Sequence, residues 1–275
     1  MATLAAHRLS LPRRPAVRNV TWGDDELRRA RLGHGDLVVE DGGNVLFGIP
    51  FERRLKLNYG FAGVEELRSG FGGLLQRLLA QGRAGERFDR LEIDFTDAPR
   101  RPYVEPVLRN HGFEPGAEWL RLTCLDLTAA AAASVGQAPV TVLAAGTGEG
   151  EAVVDLLTSV LGDAPAGPAF LVSSAEEELR TAVARDADGA MVGAAVARTT
   201  AHGVGAIEAL GVVAGARRSD AGRALLHHAL TWLAGQGTRR VEAAVPSGDH
   251  DMLQLFRSAG FTPQGAGLTY RRDLP

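Results

Sequence analysis

The chain has one cysteine and three tyrosines among its 275 residues. A lone Cys124 excludes an intramolecular disulfide, and without a cysteine cluster or an H-x-x-x-H motif we expect no metal site. Apolar runs stay well short of the roughly 20 residues of a membrane span, and no secretory signal pattern is recognisable. The net charge of −3 gives no positive field toward nucleic acid or an anionic membrane. We therefore expect a cytoplasmic protein whose partners include neither.

Length and composition indicate a globular protein of one large or two ordinary domains. Hydrophobic residues make up 45% and charged residues 23% of the chain, which are ordinary values for a folded protein. Half of this length is enough to bury a core of its own. The first 20 residues contain arginines but no acid, and we expect them to form a flexible arm.

An internal repeat predicts two copies of one unit. Residues 107–115 read VLRNHGFEP and residues 255–263 read LFRSAGFTP. Upstream, RLEI at 90–93 resembles RVEA at 240–243, in the same order and at nearly the same spacing. Repeats of this kind indicate a duplicated structural unit.

Hydrophobic periodicity predicts strands and helices in both copies. The first copy is expected to contain strands at 57–62, 91–95 and 119–127 and helices at 64–78 and 103–111. The second is expected to contain strands at 140–145, 206–213, 241–245 and around 268–270, and helices at 151–161, near 174–184, at 222–235, and a short one capped by Asp249 or Ser247.

A glycine-rich turn in the second copy predicts an anion site. The segment 210–226 reads as a buried strand, a polar turn and the start of a helix. Free N–H groups and the positive end of the helix dipole converge at such a turn. Its small residues let a diphosphate approach the backbone closely.

This turn resembles the acetyl-CoA motif of the GNAT acyltransferases, V-x-P-x-x-(Q/R)-x-x-G-x-(G/A). Val212, Arg217 and Gly222 fall in register, whereas Asp220 replaces the first glycine of the motif and Ala214 replaces its proline. The resemblance implies acetyl-CoA as co-substrate, with a binding segment of Leu210, Gly211, Val212, Arg217, Arg218, Ser219, Asp220, Ala221, Gly222, Arg223 and Ala224.

The same resemblance implies an α/β fold of two tandem units. Each would be a mixed, mostly antiparallel sheet flanked by helices. The expected division is an arm at 1–20, a degenerate GNAT-like domain at 21–128, a linker at 129–138 and a GNAT acetyltransferase domain at 139–275. The first copy keeps two motif glycines, Gly70 and Gly72, so it is expected either to be structural or to bind CoA as well.

Two residues are candidates for proton transfer. By strand alternation Glu208 faces the same side as Leu210 and Val212, and an acid on an apolar strand is costly unless paired or functional. GNAT enzymes often place a general base on this strand, so we predict Glu208 as the base; an acid at a frayed strand end is the alternative. Phe256 occupies the usual position of the acidic tyrosine, which leaves Tyr270, Ser247 or a water as general acid.

The resemblance implies an N-acyltransferase. It would move an acetyl or other short acyl group from acetyl-CoA to an amine of a small molecule or peptide by direct attack in a ternary complex. Two alternatives are a non-catalytic acyl-CoA-binding regulator and a Fem-type tRNA-dependent aminoacyl transferase, which the low basicity disfavours. We expect a monomer or a homodimer.

Overall fold

The computed structural model describes residues 17–18, 35–51, 53–96, 100–133, 140–162, 179–200, 203–216 and 220–275. The chain divides into two compact units. Unit 1 comprises Met1–Ala117 together with Gly267–Pro275, and unit 2 comprises Glu118–Ala266. The last nine residues of the chain therefore belong to the unit that is built mainly from its beginning.

Unit 1 is a sheet covered by helices. Its strands are β1 (Val17–Arg18), β2 (Val38–Asp41), β3 (Asn44–Phe51), β4 (Arg54–Phe61), β5 (Arg90–Phe95) and the first part of β6 (Glu114–Cys124). Its helices are α1 (Val64–Gln81), α2 (Ala84–Arg87) and α3 (Arg101–Asn110), and a 3-10 turn spans Gly35–Leu37.

The sheet of unit 1 is mostly antiparallel. β3 pairs with β2 and β4, and β4 runs parallel to β5 from Arg54↔Arg90 to Lys56↔Glu92. Residues 268–273 then pair antiparallel with β5. Phe71 of α1 packs on Tyr59 and Phe61 of β4. The apolar face of the helix, with its period of 3.6 residues, and that of the strand, with its period of 2, therefore form one core.

Unit 2 repeats this order of elements and adds a strand and two helices in front. The helices are α4 (Leu127–Ala133), α5 (Gly150–Leu161), α6 (Ala221–Gly235) and α7 (His250–Ser258), and a 3-10 turn spans Ala214–Ala216. The strands are β7 (Thr141–Ala144), β8 (Leu179–Arg185), β9 (Met191–Thr200), β10 (Val204–Val212), β11 (Arg240–Pro246) and β12 (Thr262–Asp273).

The sheet of unit 2 buries both of its faces. β7, β8, β9 and β10 are successive antiparallel neighbours, β10 runs parallel to β11, and β11 pairs antiparallel with residues 119–124 of β6. One face packs against α6 and α7 and the other against α5. Of the two predicted capping residues, Asp249 and Ser247, it is Asp249 that caps α7: its Oδ1 accepts a hydrogen bond from the Met252 N–H at 3.0 Å.

Two strands of unit 2 differ from the sequence predictions, and β2 and β3 of unit 1 were not predicted either. The helix expected near 174–184 is wrong, because residues 179–185 form β8; residues 174–178 lie outside the described part. β9 was not predicted at all. Both strands are covered on both faces and rich in alanine, so the alternation that identifies a half-buried strand is missing.

The domain boundaries also differ from the expected ones. Residues 118–128 belong to unit 2 and residues 267–275 to unit 1, so the terminal strands are exchanged relative to a simple cut at 128. The expected linker begins as α4, where Ala129 N–H donates to Asp126 Oδ1 at 3.0 Å and alanine favours the helix. The rest of the expected linker, residues 134–138, lies outside the described residues. So does the expected arm at 1–20, except for β1.

Helices within the described ranges are too short or too polar to span a bilayer.

Candidate active site in the second unit

β10 and β11 separate part of the way along their length. They pair from Val204↔Arg240 to Ile207↔Ala243, and no further pair is formed. At the same point β10 has a bulge, since the register with β9 shifts between Ile207 and Ala209. A bulge bends a strand and increases its twist, which accounts for the separation. We call the space between Glu208–Val212 and Ala244–Pro246 the strand gap.

Backbone groups of β10 point into the strand gap. Val213 N–H donates to Val192 O at 2.9 Å, so it faces β9. Because N–H groups alternate between the two edges of a strand, those of Leu210 and Val212 face the other edge, toward β11. Because the pairing of β10 with β11 ends at Ile207, these two N–H groups have no hydrogen-bond partner on β11 among the described residues. They are therefore placed to bind an extended, amide-bearing ligand.

A cleft opens beside the start of α6. Its volume is about 730 Å³, within the range of small-molecule sites. From the β10–α6 turn it is lined by Ala214, Asp220, Gly222 and Arg223, and from β10 by Leu210 and Val212. We call it the mouth cleft, because it lies where the helix begins and the first N–H groups have no acceptor within the helix.

A second, smaller cavity lies in the strand gap itself. Its volume is about 250 Å³. Leu210, Asp249 and Met252 line both spaces, so the mouth cleft and this gap cavity are adjacent.

Gly222 keeps the mouth cleft open. A Cβ atom at this position would lie 3.3 Å from Leu255 Cδ2 and 3.8 Å from Val212 Cγ2. A larger side chain would therefore extend into the cleft. The glycine is the second residue of α6, where the sequence placed the phosphate-binding turn.

Asp220 precedes α6 in a conformation that favours glycine. Its φ is +40° and its ψ is +7°. This explains why the motif calls for glycine here and why aspartate, which tolerates the left-handed region better than most residues, can replace it. The Asp220 carboxylate does not cap the helix but lies 3.7 Å from Arg223 Nε, and both side chains are about half exposed.

The other predicted binding residues have different surroundings. Ala221 is fully buried in the core, and the Cα–H side of Gly211 faces α5, where an added Cβ would lie 3.3 Å from Leu157 Cδ2. Ala224 does not line the mouth cleft. The positions of Arg217, Arg218 and Ser219 lie outside the described residues.

Glu208 is the bulged residue of β10 and lines the gap cavity. The bulge breaks the expected alternation, because Ile207 rather than Glu208 shares a core cluster with Leu210 and Val212. The predicted common face for Glu208 is therefore wrong, although the residue still reaches the gap. Arg198 holds its carboxylate with two hydrogen bonds to Oε1, from Nε at 2.9 Å and Nη2 at 2.6 Å.

Tyr270 belongs to the other unit. It is fully buried in the core of unit 1, and its hydroxyl donates to Glu105 Oε2 at 3.0 Å. Burial and this carboxylate raise the pKa of Tyr270 above its usual value. Burial opposes ionisation of Glu105, but hydrogen bonds from Arg109, Tyr270 and Arg101 outweigh it and lower its pKa. Tyr270 therefore lies in the core of unit 1, because residues 267–275 belong to that unit, and its assignment as general acid stays a prediction.

Several lining residues were missed by the sequence analysis. Met252 and Leu255 of α7 were not predicted as site residues, whereas Phe256 was placed at the usual position of the acidic tyrosine; all three line the mouth cleft or the gap cavity. Val160 and Leu161 of α5 line both. The sequence contained one signal for this role, which is the position of an apolar residue, Leu161, at the end of its helix. In the structure its side chain is 43% exposed.

The glycines of unit 1 have no comparable setting. Gly70 and Gly72 lie inside α1, which begins at Val64, so their N–H groups are within helical hydrogen-bonding range. A Cβ atom on Gly72 would lie 2.5 Å from His111 Cε1, so the imidazole fills that space. These residues therefore do not form a second phosphate-binding turn.

The described part of the chain contains no group of three or more His, Cys, Asp and Glu side chains that could hold a metal ion.

Comparison with known proteins agrees with this geometry. Residues 157–261 match the model of the acetyltransferase (GNAT) family. The sequence matches no curated protein. A GCN5-related N-acetyltransferase from Sphaerobacter thermophilus is similar in structure, with a TM-score of 0.64 and 19% identity over 91% of this chain and 85% of that one.

Two further solved structures show the same fold. A GCN5-related N-acetyltransferase from Kribbella flavida has a TM-score of 0.60 at 16% identity, covering 92% of this chain and 96% of its own. A tandem GNAT protein from the clavulanic acid biosynthesis pathway has a TM-score of 0.58 at 17% identity, covering 86% and 82%. The chain thus has a mixed α/β fold shared with GNAT acetyltransferases, and residues 157–261 form its domain of the acetyltransferase (GNAT) family.

Proposed function

We propose that unit 2 is an N-acyltransferase that moves a short acyl group from acetyl-CoA, or a close homologue, to an amine of a small molecule or peptide. The observation that carries the proposal is the strand gap, with the outward N–H groups of Leu210 and Val212 leading from the start of α6 into the gap cavity. The diphosphate would lie at the first turn of α6 and the pantetheine arm along β10.

The reaction would proceed by direct attack. The amine nitrogen forms a bond to the thioester carbonyl carbon, the carbon–sulfur bond breaks, and the thiolate takes a proton while the amine loses one. Glu208 lines the gap cavity and is the residue we assign as proton acceptor, directly or through a water. Arg198 fixes the orientation of Glu208 by donating two hydrogen bonds to its Oε1.

Binding is tested by thermal unfolding with acetyl-CoA. A ligand at 100 times its dissociation constant adds about 2.7 kcal/mol of stability. We expect Gly222→Glu to remove most of this shift, because the new side chain would fill the mouth cleft and place a carboxylate beside the diphosphate. An acid in the first helical turn is favourable for the helix itself, so the variant should fold.

Gly235→Glu is the matched control. It makes the same change at the far end of α6, where an added Cβ meets no atom within 4 Å. It should retain the full acetyl-CoA shift. If Gly222→Glu kept the shift as well, the ligand would not enter at α6 and the proposed site would be wrong.

Asp220→Gly should strengthen acetyl-CoA binding. The change removes a carboxylate that lines the mouth cleft and relieves a left-handed conformation at a residue other than glycine. We expect roughly a threefold to tenfold lower dissociation constant by calorimetry, which corresponds to about 0.7–1.4 kcal/mol. The gain should shrink as salt is added, because the half-exposed charge is screened. An unchanged or weaker affinity would show that Asp220 is not near the phosphates.

A non-catalytic acyl-CoA-binding protein is the second candidate. It is favoured by Phe256, which lines the gap cavity where the family often has a proton-donating tyrosine. Release of free thiol from acetyl-CoA with a panel of amines separates the two. Binding without thiol release would favour the regulator.

A further inference from the structure

The gap cavity is larger than an acetyl group requires. Its volume of about 250 Å³ equals roughly eight groups of the size of a water molecule, at about 30 Å³ each. The thioester sulfur, the carbonyl carbon and oxygen, and the attacking nitrogen would occupy about four of these eight positions. An acetyl methyl group would leave the rest of the space unfilled.

Apolar side chains from four elements form the walls. Val160 and Leu161 come from α5, Ala209 from β10, Ala244 from β11, and Met252 and Phe256 from α7. Phe256 is fixed by an edge-to-face contact with Phe261, with ring centroids 4.9 Å apart. A tyrosine at position 256 would bring a hydroxyl group into this space, whereas Phe256 contributes only an apolar ring.

The two acids of the cavity are held by partners from the chain. The carboxylate of Glu208 is bound by Arg198, and that of Asp249 accepts the N–H of Met252 at 3.0 Å. The other side chains that line the cavity are apolar, so they favour a hydrocarbon group, because burying apolar surface is favourable.

We propose that the gap cavity is an acyl-chain pocket, and that unit 2 prefers an acyl donor with an aliphatic chain of about four to six carbons over acetyl. The inference rests on the proposed acyltransfer at this site. The balanced reaction is unchanged: the acyl carbon leaves sulfur for the amine nitrogen, the amine gives up a proton, and the thiol is released. Only the length of the transferred chain differs.

The test compares CoA, acetyl-CoA, butyryl-CoA and hexanoyl-CoA by calorimetry on the full chain. Each methylene that is fully buried tightens binding about fourfold, which is equivalent to about 0.8 kcal/mol. Butyryl-CoA should therefore bind at least about fivefold tighter than acetyl-CoA, allowing for partial burial. Thiol release with an amine panel should show the same order of preference in kcat/KM.

Ala244→Phe is the discriminating variant. Ala244 is exposed to the gap and lines the gap cavity but not the mouth cleft, so a phenyl ring there fills the acyl space without reaching the start of α6. The advantage of butyryl-CoA over acetyl-CoA should fall below about twofold, while the affinity for CoA itself changes little. Ala234→Phe, at an exposed position in the last turn of α6, is the matched control and should keep the wild-type order.

The outcomes separate the two proposals. If neither CoA nor any ester binds, the acyltransferase proposal and the pocket both fail. If the esters bind but acetyl-CoA equals or exceeds butyryl-CoA in the wild type, the acyl-chain pocket alone is wrong. Equal losses of all ligands in Ala244→Phe would also overturn it, since they would place the pantetheine arm rather than the acyl chain at Ala244.

Discussion

A chain that stops at Ala266 is expected to lose the fold of unit 1 while unit 2 stays folded. Residues 267–275 belong to unit 1, where Leu268 and Tyr270 are 4% and 0% exposed in its core. Burial of each such side chain is worth about 1.5–3 kcal/mol, and the strand pairing with β5 is lost as well. The sum approaches the whole stability of a small domain, about 5–15 kcal/mol.

Hydrogen exchange read by mass spectrometry locates the effect. Peptides from β5 and α1 should lose protection in the truncated chain, and peptides from β10 and α6 should keep it. Leu268→Asp, which buries an unpaired charge, should act in the same direction without shortening the chain. Ala266→Asp is the matched control at an exposed position of the same strand. Retained protection of β5 in the truncated chain would contradict the exchange of terminal strands.

Glu208→Gln should lower the rate of acyl transfer by about a hundredfold or more at neutral pH, because a general base typically contributes 10²–10⁴-fold. The glutamine keeps the size of the side chain but cannot accept the proton of an ammonium group. The deficit should narrow as pH rises, since a growing fraction of the amine substrate is already deprotonated near its own pKa. Rates of thiol release across pH measure this directly.

Glu242→Gln is the control for this change. Glu242 lies on β11 and also pairs with an arginine, with Arg240 Nη2 3.1 Å from Glu242 Oε1, but it lines neither the mouth cleft nor the gap cavity. It should keep the wild-type rate. A wild-type rate in Glu208→Gln would remove that residue from the reaction, whereas a loss in both variants would indicate a structural effect.

A variant of Arg198 tests whether the orientation of Glu208, rather than its presence alone, determines the rate. Arg198→Lys keeps the charge but loses the fork that binds a single oxygen of Glu208. We expect kcat to fall while KM for acyl-CoA stays nearly constant, as for a residue that acts through Glu208.

Local patterns were sufficient where one face of an element is buried and the other is exposed. α6, α7, β5 and β11 could be predicted because their apolar stripes are read directly from the sequence. β10 is buried on both faces along most of its length and was predicted from its continuous apolar run between glycines. β8 and β9 could not be predicted, because both of their faces are buried and their alanines suit a helix equally well.

The sequence by itself determined the duplicated unit, the strand–turn–helix at residues 210–226, and the presence of an acid on β10. Only the tertiary structure decided which way these groups face. A single bulge at Glu208 resets the alternation of β10 and opens the gap toward β11, and the exchange of terminal strands carries Tyr270 into unit 1. Both depend on pairing between segments distant in the chain, which local propensity does not specify.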